Sequence, residues 1–197
     1  VTKPHAIKEL MQLSGKTKFN INNVMIVGGS RVGKLTAKRL ESDLNIKLIE
    51  IDKKRCAELA NFLSDTLIIN ADARNVDLLE DEGIKDMDAF IAMTDNTETN
   101  ILTCLQAKSF GVKRTIAMVE NIDYIDISQN IGIDTIINKK LIAASYMVRY
   151  TLGGNVSSLK CLSGIDADIV EFVVRDGATV TSKPINKLDM PEGTIIG

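Results

Sequence analysis

Six short apolar runs recur along this chain between residue 24 and about residue 138, and each gap between them carries a helical pattern. The runs are 24–28, 46–51, 66–70, 88–93, 115–119 and 135–138, with helical segments near 32–42, 53–64, 75–82, 97–110 and 122–131. A strand covered on both faces reads as a near-continuous apolar run, and such runs alternating with helices mark a parallel sheet sandwiched between helices. The spacing predicts a doubly wound, Rossmann-like α/β fold on a six-stranded parallel sheet, with ligands at the carboxyl ends of the strands. Asp52 stands where the second helix needs an N-cap, and Gly83, Gly111 and Gly132 stand where helices should stop.

The first turn of this pattern is also the most specific. Val24-Met25-Ile26-Val27 leads into Gly28-Gly29-Ser30-Arg31-Val32-Gly33, and Glu50 closes the next strand seventeen residues after Gly33. Each part has its own physical task in holding a dinucleotide. Gly28 can take a tight turn that a Cβ would obstruct, Gly33 lets the helix pack close to the strand, and the helix start offers N–H groups to a pyrophosphate. Glu50 is placed to accept hydrogen bonds from an adenosine ribose, and its charge favours NAD over NADP. The residue at closest approach to a pyrophosphate is Ser30 where the fingerprint has glycine. Its hydroxyl contacts phosphate, or its Cβ holds the ligand off, or the site is vestigial.

Further candidates fall at or just beyond strand ends. Asp72-Ala73 suits an adenine edge, with Asp72 accepting from the exocyclic amine or serving as a turn residue. Arg31 is close to any phosphate in the glycine turn, or it is a solvated arginine. Thr94, Asp95 and Glu120 share the same edge; Glu98 and Asn100 open the following helix, where they can also complement its dipole. Lys53, Lys54 and Arg55 read as a solvated helix face.

Composition bounds the remaining classes. With 197 residues, 45% of them hydrophobic, the chain can bury a sizeable core, and a net charge of −2 gives no general electrostatic case for nucleic acid. No apolar run is long enough to insert in a membrane, and the start has no signal-peptide pattern. The chain reads as soluble. Cys56, Cys104 and Cys161 lie far apart without CxxC spacing and suit small buried positions in a reducing cytosol. The single histidine, His5, is far from the predicted cleft, and no nucleophile elbow, metal-ligand cluster or complete P-loop occurs, since Leu35 stands where a P-loop has its hydroxyl. A nucleotide cleft without acid–base machinery points to sensing, and no catalytic residue is expected.

The flanks extend this core. Residues 1–23 read as a connector helix with apolar Ala6, Ile7, Leu10, Met11 and Leu13, followed by a polar linker. Residues 24–138 form the nucleotide-binding domain, and residues 139–155 a helix ending in a glycine hinge. Leu141, Ile142, Ala143, Ala144, Met147 and Val148 take up much of that helix's circumference, predicting burial on more than one side, against a partner subunit. Residues 156–197 turn to β patterning and read as a truncated second subdomain, the chain resembling a piece of something longer.

Val27-Gly28-Gly29-Ser30-Arg31-Val32-Gly33, Leu48-Ile49-Glu50, Asp72-Ala73, Ala92-Met93-Thr94-Asp95 through Asn100 and the closing Leu188-Asp189-Met190-Pro191-Glu192-Gly193-Thr194-Ile195-Ile196-Gly197 together resemble the TrkA family of RCK (KTN) nucleotide-binding domains. The resemblance spans nearly the whole chain, which is similar to the second of two tandem units. It implies a cytoplasmic regulatory subunit, peripheral on the inner face of the cell membrane, that docks on an integral membrane potassium-translocating subunit and assembles as a homodimer or ring. It also implies NAD or NADH, alternatively ATP or ADP, as ligand. Carried over by position, Gly28, Gly29, Ser30, Arg31, Val32 and Gly33 face the phosphates, Glu50 the ribose, and Asp72 and Ala73 the adenine. Thr94, Asp95, Glu98 and Asn100 line the rest, and the 139–152 helix resembles the family's crossover helix. Ser30 and Arg74 depart from the family pattern. The competing readings are an NAD-dependent oxidoreductase lacking its substrate domain and an S-adenosylmethionine methyltransferase.

Overall fold

The structure, a computed structural model, describes Leu13 and residues 20–151, 156–161 and 168–194. The expected connector helix, apart from Leu13, lies outside the described residues, as do His5, the glycine hinge at Gly153-Gly154 and Ile195 to Gly197.

Six strands, β1 (Asn23–Val27), β2 (Asn45–Glu50), β3 (Thr66–Asn70), β4 (Ala89–Ala92), β5 (Arg114–Met118) and β6 (Thr135–Ile137), form one parallel sheet in the order β3-β2-β1-β4-β5-β6. The chain winds outward from β1 to β3, returns past β1 to β4 and winds outward again. The reversal leaves a crevice at the carboxyl ends of β1 and β4. Helices α1 (Arg31–Leu40), α2 (Lys53–Phe62), α3 (Val76–Asp81), α4 (Thr97–Ser109) and α5 (Tyr124–Asn130) connect the strands.

Side chains two apart on a strand share a face, and this period divides the core in two. Met25, Val27, Ile49, Phe90, Ala92 and Ala117 turn to one face, against Leu79 of α3, Cys104 and Ala107 of α4 and Ile125 of α5. Val24, Ile26, Ile46, Leu48, Ala89 and Ile91 turn to the other, against Ala37 of α1 and Leu59 of α2. The expected doubly wound fold is therefore present, with both sheet faces covered. The first strand lies one residue earlier than the expected run and ends at Val27, because Gly28 leaves it at φ +99°.

Local chemistry fixes the ends. Asp52 Oδ1 accepts from the amides of Lys54 at 2.7 Å and Arg55 at 3.1 Å, the expected N-cap of α2. Gly83, Gly111 and Gly132 all adopt positive φ where helical segments end. Beyond the last turn of α1, buried Glu41 accepts from Lys38 Nζ at 2.7 Å, the amides of Ser64 and Asp65, both at 3.1 Å, and the Thr66 hydroxyl at 2.9 Å. These bonds, led by that from Lys38, hold its carboxyl down at about 2.

After β6 the chain enters α6 (Lys139–Thr151), a strand pair β7 (Val156–Cys161) and β8 (Asp168–Phe172) that is antiparallel, and single turns at Thr179–Thr181 and Ile185–Lys187. The described residues divide into two compact units, one over Asn20–Ala143 and one from Ala144 onward. The cover expected for α6 is a partner subunit; among the described residues none of its side chains is fully buried, Leu141 packs against the core of the first unit, and Met147 is 69% exposed. Among the described residues no helix is long and apolar enough to cross a membrane.

Candidate functional site

β1 runs into the glycine turn between two neighbours that leave no room for a side chain. The Gly28 amide donates to Ile49 O at 2.9 Å, and the Met93 amide donates to Val27 O at 2.7 Å. A Cβ on Gly28 would lie 2.8 Å from the backbone of Met93 and Thr94, in a conformation L side chains rarely adopt. A Cβ on Gly33 would collide with the carbonyl oxygen of Gly28, so the first turn of α1 can press against β1 only with glycine there. A Cβ on Gly29 would strike the Leu59 side chain.

Glu50, at the end of β2, reaches back to this turn. Its Oε2 accepts from the Gly29 amide at 2.7 Å and its Oε1 from the Asp52 amide at 2.9 Å, while Arg55 Nη1 stands 3.6 Å from Oε2. Only 5% of Glu50 is exposed. One carboxylate thus fixes both the glycine turn and the start of α2, and each oxygen keeps a second lone pair for a further donor.

The helix starts differ in what caps them. Asp52, Asn75 and Asn96 each accept backbone amides from the helices they precede, whereas Ser30 makes no side-chain cap for α1. The first-turn amides of α1 also have no acceptor within the helix, which leaves them for an anion. The Ser30 hydroxyl instead donates to Met93 O at 3.2 Å.

These groups open onto a cavity of about 380 Å³ at the crevice between β1 and β4. Gly28, Ser30, Glu50, Asp72, Ala73, Thr94 and Asp95, all expected from sequence, line it. A second cavity of about 460 Å³ lies beyond the glycine turn, where Gly29, Ser30, Arg31 and Asp95 meet Lys34, Arg55 and Glu58. Val32, Gly33, Glu98 and Asn100 line neither. Asn100 is buried, with its amide occupied: Oδ1 accepts from the Thr94 amide at 2.9 Å and the Thr94 hydroxyl at 2.7 Å, and Nδ2 donates to Thr94 O and Met118 O, both at 2.9 Å. It shapes the loop that carries Thr94 and Asp95.

Asp72 is likewise engaged. Arg74 meets it through Nη2 to Oδ2 at 2.6 Å and Nε to Oδ1 at 3.0 Å, and the Arg74 amide donates to Oδ1 at 3.0 Å. The guanidinium bonds hold the Asp72 carboxyl below the usual range. Glu120 pairs with Lys139 at 2.6 Å, which also lowers its carboxyl.

Sequence reasoning passed over several lining residues. Arg55, read as part of a solvated face, borders both cavities, and Ile51, Ala71, Asn96 and Thr99 join the first. Their common signal is position: each directly follows a strand at the ligand edge, or caps or lies in the first turn of a helix that starts there.

Residues 24–139 match the family model described as the TrkA-N domain. The chain belongs to the TrkA-N family. The match runs from Val24 in β1 to Lys139 at the start of α6 and so contains all of the parallel sheet but its first residue. Over its full length the chain is 34% identical to a Trk system potassium uptake protein TrkA homolog 2 of Methanosarcina mazei, of which it spans 44%. Two solved structures share the TrkA-N fold. The GsuK channel bound to NAD superposes with a TM-score of 0.60 at 14% identity, over 74% of this chain and 26% of that one. The AMP-bound C-terminal domain of Kef from Shewanella denitrificans superposes with a TM-score of 0.57 at 16% identity, over 66% of this chain and 80% of that one.

Proposed function

We propose that this chain is the nucleotide-sensing part of a cytoplasmic, non-catalytic regulatory subunit of a potassium uptake system, binding NAD(H), or alternatively ADP or ATP, in the crevice beside β1. The observation that carries this reading is the convergence of an uncapped helix start, a Cβ-free turn and an ordered carboxylate on one cavity, whose volume lies within the range of small-molecule sites. Gly28, Gly29, Ser30, Arg31, Val32 and Gly33 form the phosphate cradle, Gly33 and Val32 through the helix start rather than by contact of their side chains. Glu50 takes the ribose hydroxyls with its second lone pairs. Asp72 and Ala73 border the base, and Thr94, Asp95, Glu98 and Asn100 build the facing loop.

Names of relatives and the NAD and AMP found in fold neighbours support the choice of ligand and system. In this reading residues 24–138 sense the nucleotide, 139–155 form the crossover helix and hinge, and 156–197 belong to a second subdomain. The uncovered apolar residues of α6 support homodimer or ring assembly, and the integral membrane partner is the potassium-translocating subunit, reached from the inner face of the cell membrane. A nucleotide regulates such an assembly only through unequal affinity for its two arrangements, and a tenfold preference supplies about 1.4 kcal/mol.

Calorimetric titration with NAD, NADH, ADP and ATP tests the site. Bound ligand at 100 times its Kd adds about 2.7 kcal/mol of stability, so a thermal-shift panel reads the same result independently. Absence of binding by all four at millimolar concentration refutes the reading. Substrate-dependent NAD reduction by the protein would replace regulation with redox chemistry.

A further inference from the structure

The segment after β3 lines the cavity with two short apolar residues, Ala71 and Ala73, and two charged ones, Asp72 and Arg74, and in the nucleotide reading it is the part that meets the base. A lone carboxylate here would accept from an adenine amine. This one is already held: its two oxygens receive Nη2 at 2.6 Å, Nε at 3.0 and 3.1 Å and the Arg74 amide at 3.0 Å. The grip is mutual. Arg74 is 66% exposed along its side chain, yet its guanidinium is fixed by one edge to an anion two residues away, so the plane has a defined orientation at low entropic cost.

Resting on the nucleotide reading above, we propose that Arg74 is the base-contacting residue of this site: its guanidinium plane, held by Asp72, stacks on the purine ring, and Asp72 acts as a positioning residue rather than as an acceptor for the exocyclic amine. Planar guanidinium groups stack on bases, and stacking tolerates base identity because every base has a π-face. A carboxylate accepting from the amine would discriminate, since hypoxanthine carries an oxygen at that position. The two arrangements therefore differ in selectivity as well as in affinity.

The test compares ADP with inosine diphosphate by calorimetry on the whole chain, in the wild type and in Arg74→Ser, Arg74→Lys and Asp72→Ala, with circular dichroism as the control for folding. Both side chains are solvent-accessible, so all three variants are expected to fold. The wild type should bind the two nucleotides within about threefold of each other, as stacking without edge readout implies. Arg74→Ser and Asp72→Ala should weaken both by about tenfold, the loss typical of one stacking partner. Arg74→Lys, which keeps the charge and loses the plane, should weaken both as well. Arg74→Ser alone should then favour ADP over inosine diphosphate, because the freed Asp72 can accept from the amine.

Unchanged affinities in Arg74→Ser would overturn the proposal while leaving nucleotide binding intact. Strong wild-type preference for ADP, lost in Asp72→Ala but kept in Arg74→Ser, would overturn it in favour of direct readout by Asp72. Failure of the wild type to bind any purine nucleotide would sink the nucleotide reading and the proposal together.

Discussion

Replacing Glu50 with Gln removes one charge and almost no volume, and it tests whether a single carboxylate sets the shape of the cleft. In the native site two backbone amides point at two oxygens, Gly29 at 2.7 Å and Asp52 at 2.9 Å, and both Glu50 and Gly29 are buried. A glutamine has one carbonyl oxygen. If it serves Gly29, its NH2 faces the Asp52 amide, donor against donor, and if it turns over, the buried Gly29 amide loses its acceptor. Hydrogen bonds to a charged group contribute about 1.5–3 kcal/mol each, so Glu50→Gln should cost about 2 kcal/mol and Glu50→Ala, which loses both, about 4 kcal/mol. The Arg55 contact adds little, because at 3.6 Å with an Arg55 side chain 44% exposed it is a long, partly solvated pair. For a unit of this size each kcal/mol lowers Tm by about 3–6 °C. Urea titration at neutral pH gives the free energy directly. A Glu50→Gln midpoint within about 0.5 kcal/mol of the wild type would refute the reasoning, since it would mean that neither amide depends on the charge.

Further outcomes follow from other parts of the structure. Gly28→Ala forces a Cβ into the backbone of Met93 and Thr94 at positive φ and should cost at least about 2 kcal/mol in urea, whereas Gly111→Ala, with positive φ and open space, should cost about 1 kcal/mol. Glu41 is held at about 2 against an ordinary value of 4.5; a depressed carboxyl stabilises the fold fully above its unfolded value, and the contribution disappears as pH falls from 4.5 through 2. Urea midpoints between pH 6 and pH 2 should show that loss, and Glu41→Gln should flatten it. Burial pushes the Cys104 thiol up to about 12 and also raises Cys56, so neither should react with iodoacetamide at pH 7.5 until the chain unfolds. Mass spectrometry of native and urea-treated protein checks this, and rapid native alkylation of Cys104 would contradict the packing around α4.

Much of the fold was legible because its determinants are local in sequence. The apolar runs, the Asp52 cap and the helix-ending glycines each act within a few residues, and each stands where its pattern put it. Part of the site was legible for the same reason: one turn carries Gly28 to Gly33, and Glu50 closes the next strand. What could not be read depends on pairings between segments. No spacing rule reveals that Asn100 joins Thr94 to Met118 of the adjacent strand, or that Arg55 faces both cavities across Glu50. The Asp72–Arg74 fork is local, but the same two residues could equally hold apart, and only the folded loop brings their charges together. Helix α6 shows the opposite limit: its apolar pattern is plain, while Ile142, Tyr146, Met147 and Val148 stay exposed among the described residues.

The amide of Asn100 has a counterpart on the outer strands, where Asn138 donates to Val119 O at 2.8 Å and Glu120 O at 3.2 Å and accepts from the Leu141 amide at 3.0 Å. Each asparagine uses a donor and an acceptor at once, so neither an aspartate nor a leucine can stand in for it. Together they sew the tips of β4, β5 and β6 and the first turn of α6 into one seam along the rim of the crevice. Thr94 is thereby joined, through hydrogen bonds that end on adjacent residues of β5 and its exit, to the first turn of α6.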